Sequence, residues 1–302
     1  MKKFLIAVVL ISILAFTYIY QSQIVNYILI KSFNSSYKIV SNDYTVDSDF
    51  ELVQNTKTVV PYNKQDILNI IYTGLNNGSD DISILCPSKY TNCIDDAKAL
   101  LYDQELLSNI NNYVHPFNTF KELKISSNEL GQIEIQINKT YTKEEIDKIN
   151  IVFKQMYDSL ISDTMTDIEK IEVIHDTIIK NTKFDTEKSD NIDNPNFIDK
   201  YKSGTAFGAL VNNYAICAGY TDAMSLFLDA FGIKNYRVAS ENHIWNFVYL
   251  NGSWYHLDLT WDDQNVLNSK PLRTYFLITT EKLESIKDGA HNYNKEIFIE
   301  AK

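Results

Sequence analysis

The sequence predicts an α+β protein in which a cysteine-bearing helix packs on an antiparallel sheet, preceded by a smaller α+β unit and an N-terminal apolar helix. Three observations carry this expectation. Apolar residues at helical spacing begin just after Cys217, the turn pair Asn251-Gly252 lies between two stretches of strand character, and an uncharged run from Phe4 to Tyr20 follows two lysines. With 302 residues, 45% of them hydrophobic and 22% charged, the chain can bury a sizeable core and suits one or two domains plus a targeting segment. The formal net charge of -11 comes with no cluster of Lys and Arg, so no nucleic-acid partner is expected.

Lys2 and Lys3 before the apolar run read as an export signal. A run of this length sits at the short edge of the roughly 17 to 25 residues that span a bilayer. The residues after it, AFTYIYQSQ, offer bulky side chains where a signal peptidase wants small ones, which favours an uncleaved anchor over 1–22 over a cleaved leader. The positive-inside rule then leaves the rest of the chain outside the cytoplasm, as a single-pass membrane protein. No cysteine follows the run, which removes a lipoprotein. Residues 23–60 read as a stalk.

A small α+β domain is expected over 61–160. Ile67, Leu68, Ile71 and Leu75 form a helical stripe, IDDAKAL a second helix, and LKISSNELGQIEIQI a hairpin in which Ile133, Ile135 and Ile137 alternate with Gln132, Glu134 and Gln136. An amphipathic helix carrying Ile146, Ile149, Phe153 and Tyr157 follows. The second domain, 161–302, opens with a helix whose start is a capping box, Thr166 and Glu169, and whose stripe is Ile171, Ile174 and Ile178. The polar stretch TEKSDNIDNPNFID then reads as a loop. Cys86 and Cys93 are close enough to form a disulfide outside the membrane, or to pack as two free thiols; zinc is not expected, because only His115 lies near them.

The chemistry concentrates downstream. Ala223, Leu226, Phe227 and Ala230 repeat at helical spacing and Gly232 supplies a stop, so Cys217 falls at a helix N-terminus. Unpaired N–H groups there favour thiolate over thiol and point where an oxyanion would develop. A type I′ turn at Asn251-Gly252 makes opposed residue numbers sum to 503, placing Trp245 opposite Asp258 and His243 opposite Thr260. His243 and Asp258 then share a face as diagonal neighbours. Asp258 can fix the imidazole tautomer, freeing the other ring nitrogen for the cysteine. Trp245, Tyr249 and Trp254 fall on the same face and could shield the pair or line a groove. His256 shares it too, as a partner for Asp258. His115 and His175 read as structural, and His291, in a polar C-terminal stretch, carries little weight.

The order Cys, His, Asp in CAGYTDAMSLFLDAFGI, HIWNFVYLNGSWYHLDLTWDD and then YFL resembles the bacterial branch of the transglutaminase-like superfamily, which shares its core with papain-like cysteine proteases. The resemblance covers about 166–291. It implies a papain-like transglutaminase core with Cys217 as nucleophile, His243 as general base and acid, and Asp258 as the orienting group. Trp245 and Asn246 match the family's HAWN pattern with Ile244 for alanine, and Trp261, Asp262 and Asp263 match its tail. Animal transglutaminases carry Trp directly after the nucleophile, where Ala218 stands here, a departure that weighs on cross-linking more than on the fold. The upstream unit, with YVHPFNTF and the CP…C segment, resembles the region preceding this domain in some Firmicutes proteins.

The resulting expectation is a cofactor-free, metal-free thiol enzyme outside the cytoplasm. It would act on a peptide or protein substrate, cell-wall peptides included, passing an acyl group to water or to an amine. The competing expectation is an envelope protein that keeps the fold for binding alone.

Overall fold

The computed structural model describes residues 2–36, 39–128, 130–263 and 271–301. Helix α1 runs from Lys2 to Ser36, well beyond the expected boundary at residue 22. Among the described residues no helix is long and apolar enough to cross a membrane, so the expected transmembrane anchor over 1–22 finds no support there.

Helix α2, Lys64–Asn76, is capped by Asn63, whose side chain accepts from the Asp66 N–H at 2.9 Å. Strand β1, Asp81–Leu85, precedes helices α3, Cys93–Tyr102, and α4, Gln104–Ile110. Strands β2, Phe120–Ser127, and β3, Gln132–Lys139, form the expected hairpin. The sequence did not reveal that β1 pairs antiparallel with the far edge of β3, giving a sheet of order β1-β3-β2. Cys86 and Cys93 form a disulfide with a Cα–Cα separation of 5.7 Å, at the start of α3. That settles the open choice between bonded and free thiols.

Helix α5, Lys143–Leu160, begins with a capping box of Thr142 and Glu145, and α6, Asp167–Asn181, with the expected one of Thr166 and Glu169. Strand β4, Lys183–Phe184, leads into the short helix α7, Thr186–Asp190, and pairs in parallel with β5, Tyr214–Ala215. Helix α8, Cys217–Ala230, follows at once. Strands β6, Asn235–Ala239, β7, Ile244–Leu250, and β8, Ser253–Leu257, make an antiparallel sheet in that order, followed by helices α9, Leu259–Asp262, and α10, Thr280–Ile286.

Alternation along β7 sends side chains to two different cores. Trp245 and Phe247 join Tyr236 and Val238 in a core shared with α2, β1 and β3. Val248 and Leu250 instead join α6 and α8, through residues such as Ile174, Ile178, Met224 and Phe227. The sheet is therefore clamped on both faces, and α8 is held against one of them at a fixed height. That fixed height sets where Cys217 stands relative to the start of β7.

Candidate active site

Cys217 is the first residue of α8, as the sequence predicts. Ile216, the N-cap, is extended and has no side-chain cap, so no side chain competes for the amides of the first turn. Its own N–H donates to the Ser203 carbonyl at 3.0 Å, which ties the helix start to the preceding loop. Gly219 is required two residues on: a Cβ there would lie 2.3 Å from the Ser203 oxygen and 3.0 Å from the Ala215 Cβ. The cysteine is the one free thiol of the chain and is partly exposed.

Polar contacts join α8 to β7 beside this point. The Thr221 hydroxyl sits between the carbonyls of Cys217, at 2.8 Å, and Ile244, at 3.0 Å. The Asn246 amide donates to the Thr221 carbonyl at 3.1 Å and the Ser225 hydroxyl at 2.8 Å. The asparagine of the HxWN motif is thus a clamp between sheet and helix, and its Oδ1 is buried without a hydrogen-bond partner.

The turn at Asn251 and Gly252, with φ of 51° and 83°, sets the register that was expected from the sequence as far as Asn246 opposite Leu257. Beyond that pair β8 ends. Asp258 becomes the N-cap of α9, its Oδ1 accepting from the N–H groups of Thr260 at 2.8 Å and Trp261 at 3.3 Å. The expected ladder pairing of His243 with Thr260 is therefore replaced by a helix start, because a carboxylate that caps two amides turns the chain out of the strand. The two side chains still meet: His243 Nε2 lies 2.5 Å from Asp258 Oδ2. Cys217 lines the same cleft as His243 and is among the groups that raise the imidazole.

Charge follows from this geometry. Burial pushes the His243 imidazole down, but the Asp258 carboxylate, and after it Cys217, outweigh burial and hold it up to about 10. Burial would raise Asp258, yet the His243 charge and the hydrogen bonds from His243 and His291 keep its carboxyl far below the usual range. The cleft over the pair has a volume of about 610 Å³, and its lining includes Cys217, His243, Trp261, Phe184, Asp193 and Glu241. The Thr260 Oγ1 beside it is buried without a partner.

Several expectations need correcting. Tyr249 and Trp254 do not reach the site; Trp254 stacks on Phe247 at 4.9 Å, and only Trp245 covers His243, at 5.6 Å. Trp245 is fully buried, so it builds the core rather than a groove, and the half-buried Trp261 supplies the aromatic lining of the cleft. His256 does not touch Asp258: its Nδ1 accepts from the Trp245 indole at 2.9 Å, and burial pushes it down to about 3. His291, discounted in the sequence, lies with Nε2 3.0 Å from Asp258 Oδ2. Its one sequence signal is Asp288 three residues earlier across a glycine, a turn that presents a side chain. His115 and His175 are buried structural residues, as expected.

His243, Asp258 and His291 bring three ligand-type atoms within 4.8 Å of one another. Their separations of 2.5 and 3.0 Å are those of donors and acceptors bonded to each other, whereas ligands of a tetrahedral zinc stand about 3.3 Å apart. The trio fits a hydrogen-bonded relay better than a metal centre.

Among solved structures the chain is similar to a TGase, with 14% identity and a TM-score of 0.36 over 52% of this chain and 48% of that one. It is also similar to a candidate cysteine protease from Cytophaga hutchinsonii, with 12% identity and a TM-score of 0.27 over 46% of this chain and 61% of that one. The chain thus spans about half the length of the first and less than two thirds of the second. At these scores neither likeness bears on chemistry. No protein-family model matches the sequence, and no curated protein matches it.

Proposed function

We propose that this chain is a thiol acyl-transfer enzyme acting on peptide amides, with Cys217 as nucleophile, His243 as general base and acid, and Asp258 as orienting carboxylate. The observation that carries the reading is the imidazole of His243, bonded through Nε2 to a buried carboxylate, in a cleft that the partly exposed Cys217 thiol also lines. The Cys217 sulfur attacks the amide carbonyl, and the oxyanion meets the amides at the start of α8. His243 gives its proton to the leaving amine as the C–N bond breaks, leaving a thioester. Water or a second amine, giving up a proton to His243, then displaces the sulfur and releases an acid or a new amide.

Two acidic side chains, Asp193 and Glu241, line the cleft, and among the described residues lining it there is no Lys or Arg. That distribution favours substrates carrying a positive charge beside the scissile amide. The Cys86–Cys93 disulfide and the uncharged N-terminal run support work outside the cytoplasm, on envelope or cell-wall peptides. The exposed Val9, Leu10, Ile13 and Phe16 of α1 are suited to association with a membrane surface.

The test is to follow hydrolysis and amine incorporation side by side on a library of wall-type peptides, with Cys217→Ser as control. Turnover in either channel that is lost in Cys217→Ser supports the reading. Turnover that survives the substitution, or wild-type Cys217 reacting with iodoacetamide no faster than a free thiol, refutes it.

A further inference from the structure

Asp258 does not serve His243 alone. Its Oδ2 accepts from two imidazoles, His243 at 2.5 Å and His291 at 3.0 Å, while its Oδ1 is taken by the cap of α9. The second imidazole is itself held on every side. Asp288 Oδ1 accepts from the N–H groups of Ala290 at 3.0 Å and His291 at 3.1 Å, shaping the turn that presents the ring. Asp288 Oδ2 accepts from His291 Nδ1 at 2.9 Å and from the Tyr275 hydroxyl at 2.8 Å. The ring stacks on Tyr275 at 4.8 Å and meets Trp245 and Trp261 edge-on at 4.6 and 5.2 Å. Carboxylate oxygens accept and do not donate, so a ring whose two nitrogens both face carboxylates satisfies both contacts as a double donor.

We propose that His291 is a positioning residue of the acyl-transfer site: it fixes the orientation in which Asp258 receives His243 and, as a cation bridging Asp258 and Asp288, tempers the hold of Asp258 on the His243 proton. The proposal rests on the thiol reading of Cys217. The groups facing the His291 ring are Asp258 from the cap of α9, Asp288 from its own turn, Tyr275 from the segment before α10, and His243, whose ring lies 5.1 Å away. His256 of β8 also senses its charge. Of these, His243 is the group whose proton the catalytic pair depends on. A positive charge at that distance opposes its protonation, so removing the charge lets His243 keep its proton to higher pH.

The experiment compares the full chain with His291→Ala and His291→Gln, measuring the rate of Cys217 alkylation by iodoacetamide across the pH range and the melting temperature of each. Glutamine places an amide nitrogen near the position of Nε2 and can donate to Asp258 without charge. The expected result is a drop of about tenfold in alkylation rate at neutral pH in His291→Ala, corresponding to one hydrogen bond to a charged group. His291→Gln should recover most of that rate and move the alkaline inflection upward by about one pH unit. Wild-type rate and profile in both variants would overturn the proposal. So would equal losses in both that follow the melting temperature, with an unmoved profile, since that is the signature of packing alone. If wild-type Cys217 itself reacts like a free thiol, the acyl-transfer reading fails first, and that result is read on the unsubstituted chain.

Discussion

Replacing Asp258 with asparagine keeps the shape of the side chain and removes the charge that both His243 and His291 face, and the larger effect falls on His243. The His243–Asp258 pair is buried, at 7% and 2% side-chain exposure, so solvent screens it little. In the folded protein His243 is held up to about 10 against an ordinary 6.5, with burial opposing and Asp258 as the largest attraction. At about 1.4 kcal/mol per pH unit that difference amounts to roughly 5 kcal/mol between protonation states, shared by Asp258 and Cys217. Breaking such a pair from one side should then lower stability by about 3 kcal/mol where both partners are charged. The sign is fixed by linkage. A raised histidine contributes fully below its unfolded value near 6.5 and loses that contribution as pH rises toward about 10, while the depressed carboxylate contributes above its ordinary 3.8 and loses it in acid. The stability gap between wild type and Asp258→Asn, measured by urea unfolding, should be widest between about pH 4 and 6.5 and shrink toward pH 10. A gap that stays constant from pH 5 to 10 would refute the ion-pair account and leave only a lost hydrogen bond. Alkylation of Cys217 gives a parallel readout, with a loss of at least about a hundredfold expected at neutral pH.

Other consequences are independent of that pair. Gly219→Ala drives a Cβ into the Ser203 carbonyl at 2.3 Å, so the start of α8 must shift; thermal unfolding should show a loss of about 1–3 kcal/mol, together with slower Cys217 alkylation. Replacing Cys86 and Cys93 together with serine should lower stability by about 2 kcal/mol, the scale for a short loop, and leave Cys217 alkylation at the wild-type rate. In Asp193→Asn combined with Glu241→Gln, the ratio of kcat/KM for cationic over anionic peptides should fall severalfold, whereas an unchanged ratio would show that the cleft lining does not read substrate charge.

What could be read in the sequence was local. The pair Asn251-Gly252 adopts the positive φ values that a tight hairpin needs, which is why the register came out correctly over β7 and β8. Capping boxes at Thr166 and apolar spacing after Cys217 likewise marked helix starts within a residue. Strands β1 and β6 escaped notice because DISIL and NYRVA are five-residue segments, so their polar–apolar alternation runs over only four residues, too few to separate a strand from a loop or helix. Helix α1 was read as ending near residue 22 because the apolar run ends there, although nothing in Gln21 to Ser36 breaks a helix. His291 lies 33 residues from Asp258, and no periodicity links two turns that far apart.

The end of the β7–β8 ladder also explains why the site is open. Had the strands stayed paired through Asp258, His243 would sit inside the sheet with neighbours covering both ring nitrogens. Asp258 instead spends one oxygen capping α9 and offers the other sideways to His243, so the ladder stops one residue before the pair. His243 stands just outside β7, stacked on Trp245, in the cleft that Cys217 at the start of α8 also lines. A single carboxylate thereby terminates the strand and orients the imidazole. Substitutions at Asp258 should consequently disturb fold and chemistry together, and those at His291 chemistry more than fold.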